Sequence, residues 1–211
     1  MEGDAAAMTL SKRLADLIVA LALSVLLAPV ILVLALLVLV LDGRPVFYIS
    51  ERMKTPTEAF RLIKFRSMRA DAADSGVTGA DKAGRITRMG AFLRRSRLDE
   101  LPQLWNILRG DMSFVGPRPP LRQYVEDYPD IYGPVLRSRP GLTGLATLTY
   151  HRHEQRLLAA SRSAAETEAI YRRACVPRKA RLDLIYQAHR SLCWDLWLML
   201  RTIFRKRRKR G

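Results

Sequence analysis

The sequence predicts an α+β protein that is mainly helical, with a membrane helix at the N-terminus followed by a small β-hairpin. Three observations lead to this fold class. Residues 17–41 form an apolar run without a single charge. Two short segments after it are rich in β-branched and aromatic residues, as strands are. Further along the chain, apolar residues recur at three- and four-residue steps (Leu98, Leu101, Leu104 or Trp105, and Leu108), which is the spacing of a buried helix face.

The apolar run is long enough to cross a bilayer, but Pro29 lies near its middle. A straight helix over the run would be roughly 37 Å long, too long for the core of a signal peptide, so we expect a retained membrane segment. Proline removes a backbone hydrogen bond and kinks a helix, which leaves two arms of about 18 Å each. Neither arm alone can cross the membrane.

Cationic residues flank both ends of this run: Lys12 and Arg13 before it, and Arg44, Arg52 and Lys54 after it. The positive-inside rule therefore places both ends in the cytoplasm. A re-entrant helix, which enters and leaves through one leaflet, satisfies the charges and the proline together. A proline-kinked helix that spans the bilayer is the alternative.

The charge of the chain predicts an anionic partner. Its 211 residues allow about one globular domain, and 36 Lys and Arg against 20 Asp and Glu give a net charge of +16. Nucleic acid, a phospholipid surface and a phosphorylated substrate all fit this charge. Cys175 and Cys193 show no metal-ligand spacing with each other or with the three histidines, so we expect free thiols and no zinc site.

Residues 44–50 and 58–66 are predicted as paired strands joined by a turn at 55–57. The second strand ends in Lys64, Phe65 and Arg66. Alternation along a strand puts Lys64 and Arg66 on one face, where both could contact one anionic ligand. A solvated edge with two exposed cations is the simpler interpretation. The polar, glycine-containing residues 71–84 are predicted to form a loop.

The stretch 94–120 contains the strongest candidates for a chemical role. Asp99 and Glu100 are adjacent carboxylates, and the leucines around them recur with helical spacing. Pro102 suits the first turn of a helix and Gly110 its end. The two acids would then lie at a helix N-terminus, where free N–H groups keep a carboxylate ionised and also favour bound phosphate. This interpretation leaves Gln103 and Asn106 on the polar face with Asp99.

Arginines surround the two acids. Arg94, Arg95 and Arg97 precede them, and Arg118 lies between Pro117 and Pro119. Prolines on both sides limit the freedom of Arg118, which suits planar recognition of phosphate or of a base. A solvated helix end is the simpler explanation of the first three arginines.

The C-terminal half is predicted to be helical. Short helices are expected at 121–128 and at 154–174, the second ending near Pro177, with a rigid turn at 139–144 between them. Residues 182–204 combine tryptophans and leucines with cations, and the tail 205–211 is strongly basic. This pattern is typical of amphipathic helices that lie in the headgroup plane of an anionic leaflet. An ordinary core helix with a basic tail is the alternative.

Taken together, these residues resemble the bacterial sugar transferases, the small monotopic phosphoglycosyl transferases. The resemblance covers nearly the whole chain, and the block around Asp99 is its most specific part. Besides the proline-broken membrane helix, it consists of residues 64–68 (KFRSM), 98–106 (LDELPQLWN), 110–113 (GDMS), 115–119 (VGPRP), 139–144 (RPGLTG) and 182–183 (LD).

The resemblance implies a role for each candidate residue. Asp99 would be the nucleophile and lie beside Mg²⁺, with Glu100 as its partner. The implied contacts to the substrate are Lys64, Arg66, Arg94, Pro117, Arg118, Pro119 and Arg139. The membrane helix would be re-entrant and broken at Pro29, which divides the chain into a membrane region, 1–43, and a cytoplasmic catalytic domain with interfacial C-terminal helices, 44–211.

The implied activity is transfer of a sugar 1-phosphate from a UDP-sugar to a polyprenyl phosphate with release of UMP. The implied partners are those two substrates and the phospholipid bilayer, with no nucleic acid, and a homodimer is compatible with them. The protein would lie at the inner membrane of a bacterium, with its catalytic domain on the cytoplasmic face. A membrane-tethered basic protein that binds nucleic acid or anionic lipid without catalysis is the competing class.

Three places depart from the family pattern. Ala28 precedes the membrane proline where the family often has serine. The turn between the strands lacks the usual glycines, since it runs Met53-Lys54-Thr55-Pro56-Thr57. After Gly144 the family commonly continues to a glutamine and then Asn-Gly-Arg, whereas this chain has 145–151 as LATLTYH. The third departure bears on sugar recognition more than on the chemistry.

Overall fold

The computed structural model describes residues 9–69 and 84–204. Residues 71–83 of the predicted loop and the basic tail 205–211 lie outside this part of the chain. The helices are α1 Leu10–Asp42, α2 Arg88–Ser96, α3 Gln103–Arg109, α4 Arg122–Asp127, α5 Pro129–Val135, α6 Leu145–Ala159, α7 Ala164–Ile170, α8 Val176–His189 and α9 Leu192–Ile203. The strands are β1 Phe47–Met53, β2 Ala59–Phe65, β3 Ser113–Val115 and β4 Gly141–Thr143. The mainly helical α+β fold is therefore confirmed.

Helix α1 is long and apolar enough to cross a membrane, and it does not end at Pro29. The Thr9 hydroxyl accepts a hydrogen bond from the backbone N–H of Lys12 at its start, and Gly43 ends it with φ +76°. Pro29 removes one backbone hydrogen bond from the helix. The side chains next to it are apolar, so they cannot bond to backbone groups in place of the helical hydrogen bonds. Helical hydrogen bonding therefore continues on both sides of Pro29.

Two separate stripes of α1 are buried. The first consists of Lys12, Asp16 and Ala20, and the second of Leu34 and Val38. Ala20 packs in a cluster with Phe60, Leu62, Leu104 and Ile107, whereas Leu34 and Val38 pack with Phe65, Met89 and Leu93. Both stripes thus contact the same folded domain. The helix between them exposes apolar side chains such as Val25, at 71%.

Strands β1 and β2 form an antiparallel hairpin in which Tyr48 lies opposite Lys64 and Arg52 opposite Phe60. The predicted hairpin is confirmed, with β1 beginning and ending later than 44–50. The reason is Pro45, which cannot donate a ladder hydrogen bond, together with a turn in which the Thr55 hydroxyl accepts from the N–H groups of Thr57 and Glu58. Threonine therefore organises the turn in place of the usual glycines.

Strands β3 and β4 form a short parallel pair that brings residues 115–119 and 139–144 together. Gly116 N–H donates to the Thr143 carbonyl at 2.9 Å, and Gly141 N–H donates to the Pro117 carbonyl at 2.8 Å. A Cβ on Gly141 would lie 2.1 Å from the nitrogen of Gly116. The glycines of these two motifs are required because the backbones approach this closely.

The C-terminal helices differ from the prediction at 154–174. Helix α6 begins earlier, at Leu145, and ends at Ala159, after which the Ser163 hydroxyl caps α7. A π-helical turn, Tyr171–Cys175, then leads directly into α8. Pro177 does not end a helix because it occupies the first turn of α8, where its missing N–H costs nothing. The predicted helix at 121–128 is confirmed by α4.

A buried polar cluster connects the start of α1 to α8 and α9. The Lys12 ammonium is 2.5 Å from the Asp195 carboxylate, and the Tyr186 hydroxyl donates to the other Asp195 oxygen at 2.5 Å. Both charged side chains are about nine-tenths buried, at 11% and 10% exposure. The Lys12 and Asp195 side chains therefore face the protein interior, where each is the counterion of the other.

Removal of one member of this ion pair should destabilise the protein strongly. We expect Lys12→Met or Asp195→Asn to lower the free energy of unfolding by about 3–5 kcal/mol, because the remaining charge stays buried without a partner. Denaturant unfolding in detergent micelles measures this loss. The matched control is Arg122→Met, which breaks the exposed pair with Glu51 and should cost less than about 1 kcal/mol. Equal losses in the two cases would contradict this assignment.

Candidate active site

The chain reverses direction immediately before the two acids. Arg97 has φ +59° and ψ +19°, the left-handed conformation, and both ends α2 and begins a 3₁₀ turn over Leu98–Glu100. Pro102 then starts α3, and Gly110 ends it with φ +86°. The acids therefore lie just before α3, as predicted, although in a separate 3₁₀ turn and not in the helix itself.

Asp99 and Glu100 have different surroundings. The Glu100 carboxylate lies 2.7 Å from the Arg97 guanidinium and 3.1 Å from that of Arg118. Burial raises the pKa of Glu100, but the charges of Arg118 and Arg97 outweigh burial and lower it overall. Among the described residues, Asp99 has no ion pair and no side-chain hydrogen bond. Glu100 is thus neutralised by arginines, whereas the Asp99 carboxylate is free to react with a ligand.

The pKa of Asp99 is raised by burial and by the adjacent Glu100 charge, and it is lowered by Lys64, Arg94 and Arg97. Burial and Glu100 prevail, so the pKa of Asp99 is raised overall, and the three cations lie close enough to oppose that rise. Arg94 extends from α2, where its Nε donates to the Ser67 hydroxyl at 2.9 Å.

Lys64 is the cation contributed by the hairpin. Burial, together with the charges of Arg118 and Arg52, lowers the pKa of its ammonium to about 8. No described carboxylate lies within ion-pair distance of Lys64. Its nearest aromatic neighbour is Tyr48, with the ammonium 5.6 Å from the ring centroid. A desolvated ammonium without a counterion is a candidate for binding a ligand anion.

Arg118 lies on the turn that the β3–β4 pair fixes, and its guanidinium bonds to Glu100. Helices α6 and α8 contribute a second ion pair, in which the Lys179 ammonium is 2.8 Å from the Glu154 carboxylate. The Glu154 charge is among those that raise the pKa of Arg118. Sequence reasoning does not select Glu154 or Lys179, because neither belongs to a recognisable motif.

The structure does not bring two of the predicted residues to this cluster. Arg66 donates to the carbonyls of Asp42 and Gly43, so it caps the C-terminal end of α1, and the prediction that it faces an anionic ligand beside Lys64 is wrong. Arg139 lies against Gly110, close to Arg13 and Asp16.

The predicted polar face of α3 is also wrong. Gln103 and Asn106 are buried, and Trp105 is 56% exposed. The Asn106 amide accepts from the Ile63 N–H at 3.1 Å and donates to the Arg61 carbonyl at 2.7 Å. Asn106 therefore joins α3 to β2, which places Lys64 opposite the acids. Helical spacing alone could not distinguish a buried amide that bonds to backbone from a solvated one.

Arg52 and Ser50 are further residues that sequence reasoning did not select. Arg52 was counted among the charges flanking the membrane run, but its charge lowers the pKa of Lys64 and its own pKa is lowered by Arg118. Side chains alternate along a strand, so Arg52, Ser50 and Tyr48 share one face of β1, and Tyr48 lies opposite Lys64. This alternation could have identified Arg52 as a residue on the same face as Lys64. The site is thus one free carboxylate surrounded by cations, an arrangement suited to a phosphorylated ligand.

The titration of Lys64 should be visible in anion binding. Lys64 is charged below a pH of about 8, so we expect the affinity for UDP to be retained below that pH and to fall as pH rises through it. Loss of one charge-assisted contact should weaken binding roughly tenfold or more. UDP also titrates at the two ends of this range, because phosphate second pKa values lie near 6 and the uracil N3–H ionises in alkaline solution. The Lys64→Arg variant, measured with the same ligand, therefore controls for the charge of UDP itself.

Titration calorimetry between pH 6.5 and 9.5 measures this dependence. Lys64→Arg should abolish the step near pH 8, since a guanidinium stays charged throughout. Identical pH profiles for the two proteins would contradict the assignment.

Comparison with known proteins identifies several relatives of this chain. A UDP-glucose:undecaprenyl-phosphate glucose-1-phosphate transferase from Klebsiella pneumoniae is 36% identical over 197 residues, which cover 92% of this chain and 38% of that protein. A protein of the same name from Xanthomonas campestris is 36% identical over 165 residues, covering 75% of this chain and 30% of that protein. The exopolysaccharide production protein ExoY of Sinorhizobium fredii is 38% identical over 152 residues, covering 64% of this chain and 67% of that protein.

This chain therefore spans less than half the length of the first two relatives. The family model described as bacterial sugar transferase matches residues 7–209, a range that includes the membrane helix, the hairpin, the acid pair and the C-terminal helices. With its whole described fold inside that match, the chain belongs to the bacterial sugar transferase family.

Proposed function

We propose that this protein transfers a sugar 1-phosphate from a UDP-sugar to a polyprenyl phosphate at a membrane surface, through a covalent intermediate on Asp99. Relatives whose names specify UDP-glucose and undecaprenyl phosphate support both substrate classes. The single observation that best supports the mechanism is the difference between the two acids. Glu100 is paired with Arg97 and Arg118, whereas Asp99 is surrounded by cations without being bonded to any.

In the first step, an Asp99 carboxylate oxygen attacks the phosphorus next to the sugar. A bond forms between that oxygen and phosphorus, and the bond from phosphorus to the bridging oxygen breaks. UMP leaves with the electron pair, and the phosphosugar remains on Asp99 as an acyl phosphate. Lys64, Arg94 and Arg118 would stabilise the negative charge on the diphosphate oxygens as it shifts towards UMP.

In the second step, an oxygen of the polyprenyl phosphate attacks the same phosphorus. The Asp99 carboxylate leaves with its electron pair, and the product is a polyprenyl diphosphate sugar. Neither step requires a proton from the enzyme, because the nucleophiles and leaving groups are ionised oxygens. The role of Glu100 is then positional, since it fixes Arg97 and Arg118 beside the reacting phosphates.

The residues present fit Mg²⁺, although no group of three or more acidic, histidine or cysteine side chains that could hold a metal occurs among residues 9–69 and 84–204. Mg²⁺ is commonly bound by one or two carboxylates together with substrate phosphates and water. Asp99, free of other partners and raised in pKa by burial and by Glu100, is the carboxylate that would hold it. Mg²⁺ would neutralise charge on the diphosphate.

For α1 we propose the re-entrant arrangement. Lys12 near its start bonds to Asp195, and the carbonyls of Asp42 and Gly43 at its end bond to Arg66, all within one domain. A spanning helix would separate its two ends by the roughly 30 Å of the hydrocarbon core. Contacts of both ends with one domain therefore favour a helix whose ends share one side. The exposed apolar residues around Pro29 would enter the leaflet.

Helix α9 supports an interfacial position for the C-terminal end. It buries Asp195 and Leu198 and exposes Leu192, Leu196, Trp197, Leu200 and Ile203. Arg201 lies over the Trp197 ring at 5.1 Å. An exposed apolar face with tryptophan and arginine suits the headgroup region of a membrane. Together with the cations flanking α1, this exposed face supports our proposal that the catalytic domain lies on the cytoplasmic face of the inner membrane.

Substitution of Asp99 should abolish the reaction. With a panel of UDP-sugars and undecaprenyl phosphate, we expect Asp99→Asn to lose UMP release by roughly 10⁴-fold or more, because an amide cannot act as the nucleophile. Labelled phosphosugar should remain on the wild-type protein and be absent from the variant. Asp130→Asn, an exposed acid on α5, serves as the control and should behave as wild type. Undiminished turnover by the Asp99 variant would refute the assignment.

The position of α1 can be tested by labelling single cysteines from each side of sealed vesicles. In a background without Cys175 and Cys193, we expect cysteines at positions 5 and 57 to react from the same side, because both ends of a re-entrant helix face the cytoplasm. Thr57 lies in the exposed hairpin turn, which makes it accessible to the reagent. Reaction from opposite sides would show that the helix spans the bilayer.

A further inference from the structure

One face of strand β1 has unpaired polar groups that the reaction as described does not use. Side chains alternate along a strand, so Tyr48, Ser50 and Arg52 project on the same side of the hairpin. Tyr48 lies directly opposite Lys64 in the register, which places Lys64 on that side as well. The same face continues into Leu62 and Phe60, which are buried in the cluster that contains Leu104 and Ile107 of α3. It therefore adjoins the helix that follows the two acids.

Ser50 is the first of these unpaired groups. Its hydroxyl oxygen is buried, and it has no hydrogen-bond partner within the described part of the chain. A buried hydroxyl without a partner costs about 1–3 kcal/mol. Such a group is expected where a ligand supplies the missing partner.

Arg52 is the second of these groups, because its charge has no acidic partner among the described residues. Its guanidinium donates a 3.2 Å hydrogen bond to the carbonyl of the preceding residue, Glu51. No carboxylate of residues 9–69 or 84–204 lies within ion-pair distance of it. The Glu51 carboxylate bonds instead to Arg122, at 2.8 Å. Burial lowers the pKa of Arg52, and the positive charge of Arg118 lowers it further.

The positive charge on this face exceeds the negative charge that neutralises it. Arg118 is paired with Glu100, but Lys64 and Arg52 have no described acidic partner, and the charge of Arg52 is among those that lower the pKa of Lys64. Desolvated like charges persist when a ligand anion compensates them. The two uncompensated cations, the free hydroxyl and Arg118 are the donor set that phosphate oxygens require.

We propose that Ser50 and Arg52 bind a phosphate group of the nucleoside diphosphate, on the hairpin side of the site, together with Lys64 and Arg118. This inference rests on the proposed function, because it assigns the ligand to the UDP-sugar. A phospholipid headgroup presents the same chemistry. We assign the nucleotide because Arg118 connects this face to Glu100, and thereby to the reacting carboxylate.

The test measures the affinity of the full-length protein for UDP in detergent micelles, without turnover. Arg52→Met should weaken UDP binding roughly tenfold to a hundredfold, the equivalent of one lost charge-assisted contact. Arg52→Lys should retain part of the affinity. Ser50→Ala should weaken binding by a smaller factor, about threefold to tenfold, as for one neutral hydrogen bond.

Arg61→Met is the matched control. Arg61 lies on β2 of the same hairpin, is exposed, and pairs in the register with Glu51 on the opposite face. Its removal changes the net charge by the same amount and should leave UDP affinity unchanged. Thermal unfolding of each variant, with a melting temperature close to that of wild type, excludes loss of the fold as the cause.

Equal UDP affinities for Arg52→Met and Arg61→Met would overturn the inference. The proposed function would then be tested separately, by whether labelled phosphosugar remains on the wild-type protein and is absent from Asp99→Asn. Binding to vesicles containing phosphatidylglycerol distinguishes the other source of phosphate. If Arg52→Met lost vesicle binding and kept its UDP affinity, the face would bind lipid headgroups and the inference would be wrong. A selective loss of UDP affinity with unchanged vesicle binding is the result expected.

Discussion

The two ion pairs of Glu100 determine how the rest of the site is arranged. Arg97 reaches Glu100 from a left-handed turn, and Arg118 reaches it from the turn between Pro117 and Pro119. A buried carboxylate without these arginines would take up a proton, because desolvation penalises its charge. With them it stays ionised and holds two guanidiniums in place. Asp99 then remains as the carboxylate that a substrate or a metal can approach.

The structural elements behind this arrangement bring distant parts of the chain together through backbone contacts. The close approach of Gly116 and Gly141 joins β3 to β4 and so orients Arg118. Asn106 bonds to the backbone of β2 and thereby places Lys64 across from the acids. Helix α1 packs on the same domain through two stripes, so the membrane segment and the site are parts of one unit. Such a unit suits the proposed reaction, which moves a phosphosugar from a soluble nucleotide sugar to a lipid phosphate.

Much of this was predictable from the sequence, and the exceptions share a physical cause. Apolar spacing, strand composition and helix-ending residues located α1, the hairpin, α3 and α4, because these signals are local. The family resemblance selected Asp99, and the local pattern could not separate it from Glu100, since their difference arises from Arg118, which is distant in sequence. Arg66, Asn106 and Arg52 were misjudged for the same reason. Each is a polar residue whose role depends on a partner in another element, such as the α1 carbonyls that bind Arg66.

In the proposed mechanism, Asp99, the unpaired one of two adjacent carboxylates, forms the covalent intermediate. The most direct test is to incubate the purified protein with a UDP-sugar in the absence of polyprenyl phosphate, trap the adduct by acid quench, and locate it by tandem mass spectrometry of the peptide containing both acids. A phosphosugar mass on Asp99, which disappears when undecaprenyl phosphate is added, is the predicted result. An adduct on Glu100, or UMP release with no adduct on either residue, would contradict it.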